Sequence, residues 1–211
     1  YRRVGHLKEV PLLGGEKAVY DVRRIAFALA EMTGGGLDYF EEAERELFRK
    51  MMSRSGTSTS FGRVLDGISA YLDICQYRSY DGEPAMKLER WLNEARSLDL
   101  VPTVRHGDVI DTPAMFRHMM DARGSKADRA GSMVCAMVRG LTEIAVERAE
   151  DEGIGHIGLS GGVSYNRAIS TWAKDLVESR GLEFVCHDLT PNGDGCISTG
   201  QCAVALARTV A

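Results

Sequence analysis

The fold of this 211-residue chain turns on Ile154–Gln201, where IGHIGLSGGVSYNRAIS (154–170) precedes LEFVCHDLTPNGDGCISTGQ (182–201). Both halves have one shape: a short apolar run, a glycine-rich turn, then an amphipathic helical pattern. Ile154, Ile157 and Leu159 lead into Gly161-Gly162, and the helix after Ser164 puts Ile169, Trp172, Ala173 and Leu176 on one face. Leu182, Phe184 and Val185 lead into Pro191-Asn192-Gly193-Asp194-Gly195, and the next helix carries Ile197, Val204 and Leu206. Two consecutive β-loop-α units predict parallel strands with right-handed crossovers. Both glycine loops then lie at the carboxyl ends of neighbouring strands, where open α/β sheets bind ligands.

Upstream, the pattern is mostly helical. Residues 1–14 read as an extended segment closed by Pro11 and Gly14-Gly15, with His6 as a surface histidine. Helices are expected over 16–32 and 37–52, the first ended by Gly34-Gly35-Gly36, the second with a solvated acidic face of Glu41, Glu42, Glu44 and Glu46. Ser53–Ser60 offers N-cap hydroxyls to a helix whose apolar stripe is Phe61, Val64, Leu65, Ile68, Leu72 and Cys75. Gly62, Asp66, Ser69 and Asp73 share another, small and polar face, which spacing alone reads as solvated. A further helix follows Tyr80–Pro84, Val101–Val104 reads as an edge strand, and Asp111-Thr112-Pro113 starts a helix holding a structural His118. Ser125–Glu152 reads as one long helix ended by Gly153. The expected organisation is one domain over 1–211, with a mainly helical lobe (1–125) against a small α/β lobe (126–211).

Bulk properties narrow the function. Hydrophobic residues make up 44% and charged residues 27%, as in ordinary globular proteins. A net charge of −4 leaves no polyanion footprint, so nucleic acid is not favoured as a partner. Five cysteines without CxxC spacing, no signal sequence and no membrane-length apolar run read as reduced thiols in a cytoplasmic protein. The first residue is Tyr1 rather than Met, as expected of a piece of something longer.

The loops carry the chemistry. Gly161-Gly162 before a helix exposes backbone N–H groups and a positive helix end to an anion or a sugar hydroxyl, and Asn166 adds an amide that donates and accepts. A strand-to-helix turn that simply needs glycine explains the same residues. Asp194 suits an N-cap for the last helix and equally a hard-cation ligand at a strand end. Both readings stand at this point. No base pairs with Cys196 in the sequence, so it reads as a replacement for a small loop residue, and no catalytic residue is assigned. These features reach a nucleotide- or sugar-phosphate-type pocket, not a reaction.

The motifs together, in order, resemble the carboxyl-terminal part of the hydrogenase maturation carbamoyltransferases, the HypF family. Arg3–Leu7 through Leu12–Val19 looks like its RVAHL…LPGGDxAI segment. Ser58–Asp66 looks like TSSxGRLFD, and Tyr80–Glu89 like YEGxAAMxLE. Leu159–Asn166 and Gly193–Gln201 complete the set, which spans essentially the whole chain. The resemblance implies half of an actin-like ATPase (ribonuclease H-like) fold: helix-rich α/β, with a parallel β-loop-α-β-loop-α core and a large helical lobe. That fold is related to the tRNA threonylcarbamoyl transferases. It implies that ATP and carbamoyl phosphate form a carbamoyl-adenylate, whose carbamoyl group passes to the C-terminal cysteine of a partner maturation protein of nickel-iron hydrogenase. Carried over by motif, Asp66 would meet a ribose hydroxyl, with Gly82 and Glu83 beside it. Gly161, Gly162 and Asn166 would hold the nucleotide from the other lobe, and Asp194 would ligate a divalent metal (iron, zinc or magnesium). For Asp66 and Asp194 the resemblance reverses the solvated and capping readings.

The chain departs from the family pattern at several places. Ser164-Tyr165 replaces Phe-Gln, Cys196 replaces a glycine, Leu13 a proline, and Met133-Val134 a Phe-His pair. The family's HxxxH metal histidines, zinc fingers, acylphosphatase-like domain and adenylate-forming domain are not in this segment. The expectation is therefore a truncated piece or divergent relative that binds nucleotide at most and holds metal poorly by itself. Two alternatives remain: another actin-like enzyme, such as a sugar or acetate kinase or a threonylcarbamoyl transferase-like protein, or an inactive interaction domain.

Overall fold

A computed structural model of the chain describes residues 2–210; Tyr1 and Ala211, at the ends of the two expected lobes, lie outside the described residues. The expected extended segment resolves into two short strands, β1 (His6–Leu7) and β2 (Val10–Pro11). The helix expected over 16–32 breaks into α1 (Lys17–Tyr20) and α2 (Arg23–Glu31). The break has a cause: Asp21 bridges to Tyr77, and its carboxylate takes the Arg23 guanidinium at 2.7 and 2.9 Å. α3 (Glu42–Met51) starts five residues later than 37–52 suggests, because Leu37 and Phe40 are spent on the core instead. Phe27, Phe40 and Phe48 meet there edge to face. The acidic residues of α3 face solvent, as their composition predicts.

β3 (Thr57–Ser58) pairs antiparallel with β2, and Ser60 then caps α4 (Phe61–Tyr71) by accepting from Arg63 N. α5 (Glu83–Glu94) follows. Val101–Val104 forms no strand. Its polar groups bond the next long helix (Thr103 Oγ1 donates to Ala136 O at 3.0 Å), and the hairpin forms around Gly107 as β4 (Arg105–His106) and β5 (Val109–Ile110). β5 also pairs parallel with β1. α6 (Thr112–Asp121) is capped by Asp111, which accepts from Ala114 N at 3.1 Å, and His118 is exposed in its last turn.

α7 (Lys126–Glu152) is the central rod. Ser125 caps its first turn, and Gly153, at φ 67°, ends it in the left-handed conformation. Met133, Val134 and Met137 are fully buried, and α7 packs on α5, α6 and the next helix. β6 (His156–Gly158) leads to a 3-10 turn (Gly162–Tyr165) and α8 (Arg167–Ser179), and β7 (Glu183–Val185) leads to a second 3-10 turn (Asp194–Cys196) and α9 (Ile197–Val210). β6 and β7 pair parallel, Ile157 opposite Phe184, as the paired units require. α8 buries Ile169, Ala173 and Val177. α9 differs from expectation: residues 197–209 are exposed, Ile197, Val204 and Leu206 among them, because within the described residues it touches chiefly the turn before it. No helix among the described residues is long and apolar enough to cross a membrane.

Candidate functional site

The two glycine loops meet. Gly161 has φ 93° and donates its N–H to Asn192 O at 2.7 Å, so the first loop is tied to the second by main chain. No atom lies within 4 Å of where a Cβ on Gly161 or Gly162 would stand, which leaves the loop surface open. Asn166 is buried, and its Oδ1 caps α8 by accepting from Ile169 N at 3.2 Å. The oxygen therefore serves the fold, and the NH₂ is the half of the amide left to donate. Tyr165 spans the loops, its hydroxyl accepting from Gly193 N at 3.1 Å.

Asp66 lies on α4, the helix that packs against the Gly162–Tyr165 turn. The polar face read from spacing as solvated is not: Asp66 and Ser69 are 1% and 0% exposed. Across the helix, Gly67 sits against α2, where a Cβ would stand 2.8 Å from Leu29 Cδ1, so α4 lies too deep to leave that face in water. Arg63 Nη1 lies 2.9 Å from Asp66 Oδ2, yet neither atom makes a hydrogen bond of acceptable direction. Burial pushes the Asp66 carboxyl up to about 6, against the pull of Arg63 and Arg78. A buried acceptor without a directed donor is costly to the fold and ready for a hydroxyl.

Gly82 and Glu83 border the same corner. Gly82, at φ 77°, turns the chain into α5. Glu83 is buried and engaged: Ser79 N and Oγ donate to it at 2.6 and 2.7 Å, and Lys87 Nζ lies 2.6 Å away. Lys87 and then Ser79 hold its carboxyl down at about 2. Glu89, further along α5, accepts from Arg167 N at 2.7 Å and ties that helix to the start of α8.

Asp194 is exposed and does not cap; the position before it is Gly193, and no side-chain cap bond forms. Among the described residues no three His, Cys, Asp or Glu side chains stand together as metal ligands. One exposed carboxylate does not fit a divalent cation, which takes six or more oxygens or a closed set of four ligands. Cys196 is half-buried, and Cys75 and Cys135 are buried, their thiols pushed up by burial. A surface cleft of about 460 Å³ beside Arg23, Glu42 and Arg45 includes none of these residues.

The family described as "Carbamoyltransferase, Kae1-like Domain, second subdomain" of HypF matches residues 1–201. The chain belongs to the HypF carbamoyltransferase family. A probable carbamoyltransferase HypF of Methanocaldococcus jannaschii is 33% identical over 94% of the chain, and carbamoyltransferase HypF of Rhodobacter capsulatus is 29% identical over 99%. The chain spans 28% of each of these relatives. The crystal structure of T. kodakarensis HypF superposes with a TM-score of 0.83 at 27% identity, over 97% of this chain and 30% of that one. A full-length HypF solved in a phosphate- and nucleotide-bound form superposes equally well at 23% identity, over 97% of this chain and 34% of that one. The fold is thus the helix-rich, Kae1-like form of the actin-like ATPase architecture.

Within this HypF-family chain, several site neighbours escape a sequence reading. Arg63 and Arg78 act on Asp66, the first one helical turn away and the second from the loop before α5. A basic residue three positions before a buried carboxylate was the available signal for Arg63. Nothing in the spacing points to Arg78.

Proposed function

We propose that the chain is the nucleotide-binding portion of an ATP- and carbamoyl phosphate-dependent carbamoyltransferase. Its acceptor is the C-terminal cysteine of a partner protein in nickel-iron hydrogenase maturation. One observation carries the reading: a buried carboxylate, Asp66, without a directed donor, on a helix packed against the open Gly161-Gly162 turn. In this reading Asp66 accepts from a ribose hydroxyl, with Gly82 and Glu83 shaping the nucleoside side. The Asn166 amide and the Gly162 N–H then face the phosphates at the start of α8. Glu83 positions the wall rather than donating its carboxylate, because that group is already satisfied. Asp194 would be a single metal ligand, and no step is assigned to a metal. The full reaction belongs to the longer HypF proteins.

Calorimetry with ATP, on wild type and on Asp66→Ala and Asn166→Ala, tests the site. Both variants lose affinity; equal affinity in all three overturns the assignment. A second reading, an interaction domain without chemistry, draws on Tyr165 bridging the loops. If Tyr165 closes the pocket, Tyr165→Ala gains nucleotide affinity that wild type lacks.

A further inference from the structure

The carboxyl ends of β6 and β7 hold a hydrogen-bonded row of side chains outside the nucleotide-facing set. Ser160 Oγ lies 3.0 Å from His187 Nε2, and His187 Nδ1 lies 3.0 Å from Thr190 Oγ1. Ser160 Oγ also reaches Asn192 O at 3.3 Å, the carbonyl that anchors Gly161. Among the described residues His187 is the one histidine with both ring nitrogens bonded to side chains. A neutral imidazole has one N–H and one lone pair. In the tautomer that donates Nδ1–H to Thr190, the lone pair sits on Nε2 and faces Ser160 Oγ, whose single proton goes either to Nε2 or to Asn192 O. A base held by a third group in this way is the arrangement that activates a nucleophile.

Location gives the row a purpose. It borders a cleft of about 270 Å³ whose lining includes Gly158, Leu159, Val185 and Cys186. The cleft is mostly apolar and opens beside the loop proposed to hold the phosphates. His187 belongs to no metal cluster among the described residues, and Cys186 is turned toward Asp188, 3.9 Å from its Oδ1.

We propose that His187, aimed by Thr190, is the general base for the acceptor thiol in carbamoyl transfer, the acceptor arriving along the β6–β7 cleft. This rests on the carbamoyltransferase reading above. As the thiol displaces the Ser160 hydroxyl from Nε2, its S–H proton passes to that nitrogen. The sulfur electron pair forms a C–S bond to the carbamoyl carbon. The bond from that carbon to the adenylate phosphate oxygen breaks, the nucleoside monophosphate leaves with the pair, and the imidazolium returns its proton to water. A thiol is only a few per cent ionised at neutral pH, so a positioned base has work to do.

The test uses this chain without nucleotide, with p-nitrophenyl acetate as acyl donor and a short peptide ending in cysteine as acceptor. Thioester formation is followed by mass spectrometry. His187→Gln is expected to lower kcat about a hundredfold, leaving KM for the peptide unchanged, and Thr190→Val to fall between. Added imidazole restores part of the rate of His187→Ala. Because His187 is exposed, its variants keep the wild-type melting midpoint. Wild type no faster than His187→Gln overturns the proposal, as does an acetyl group accumulating on Ser160. ATP calorimetry stays separate: its failure removes the carbamoyltransferase reading, whereas failure of the thioester assay removes only His187.

Discussion

Replacing Asp66 with Asn should stabilise the chain at neutral pH and do so in a pH-dependent way. Folding carries the Asp66 carboxyl from 3.8 to about 6, because burial disfavours its charge more than Arg63 restores it. The native state therefore binds the proton more tightly than the unfolded chain. Below pH 4 both states are protonated and the residue is neutral in its effect. From pH 4 to 6 only the native state holds the proton, so stability falls as pH rises. Above pH 6 both are ionised and the loss is complete, about 3 kcal/mol from the two values. Urea unfolding of wild type and Asp66→Asn at intervals from pH 4 to pH 8 reads this directly. The variant's advantage should be near zero at pH 4, grow through pH 6, and level off above it. Nucleotide affinity should move the other way, weakening roughly ten- to a hundredfold for loss of one hydrogen bond to a charged acceptor. A variant less stable than wild type at pH 7, or a difference flat with pH, would refute the reasoning.

Asn166→Asp keeps the cap, since aspartate caps as well as asparagine, but replaces the NH₂ with a negative charge. The urea midpoint should barely move while ATP binding disappears in calorimetry. Gly161→Ala places a Cβ in open space but at φ 93°, so it should cost about 1–2 kcal/mol of backbone strain and weaken nucleotide binding as the loop shifts. Gly67→Ala sets a Cβ 2.8 Å from Leu29 and 3.1 Å from Ile25, outweighing the gain in helix propensity. A net loss of about 1–2 kcal/mol in chemical denaturation is expected.

Local chemistry made parts of this fold legible and hid others. α7 could be read to the residue because its signals are local: Ser125 to cap, Gly153 to stop, and an apolar pattern between. The paired β-loop-α units were legible for the same reason. Val101–Val104 has strand composition, but Thr103 Oγ1 donates to the α7 carbonyl of Ala136, Leu100 N just before it donates to Ser132 Oγ, and Val104 O accepts from Asp111 N, partners that lie far off in sequence or on the next helix cap. Asp66 shows the limit most clearly. Its i,i+3 and i,i+4 neighbours suggest a wet face, and only the depth at which Gly67 lets α4 sink against α2 buries it. α9 fails the other way: Ile197, Val204 and Leu206 promise a packed face that no other element among the described residues covers.

The residues that share the proposed pocket differ in what the fold needs from them, and that difference separates ligand contacts from scaffolding. Glu83 accepts from Ser79 twice and pairs with Lys87, so every demand of its charge is met inside the protein. A nucleotide could use it only by breaking bonds already made. Asn166 divides its amide, the oxygen capping α8 and the nitrogen facing outward in chemistry. Asp66 is the opposite extreme: it caps nothing, accepts no directed hydrogen bond, and lowers stability at neutral pH. Stability alone would replace such a group with an amide or an apolar side chain. A ribose hydroxyl donating to it would remove the unmet demand, which makes Asp66 the residue whose loss should separate binding from folding.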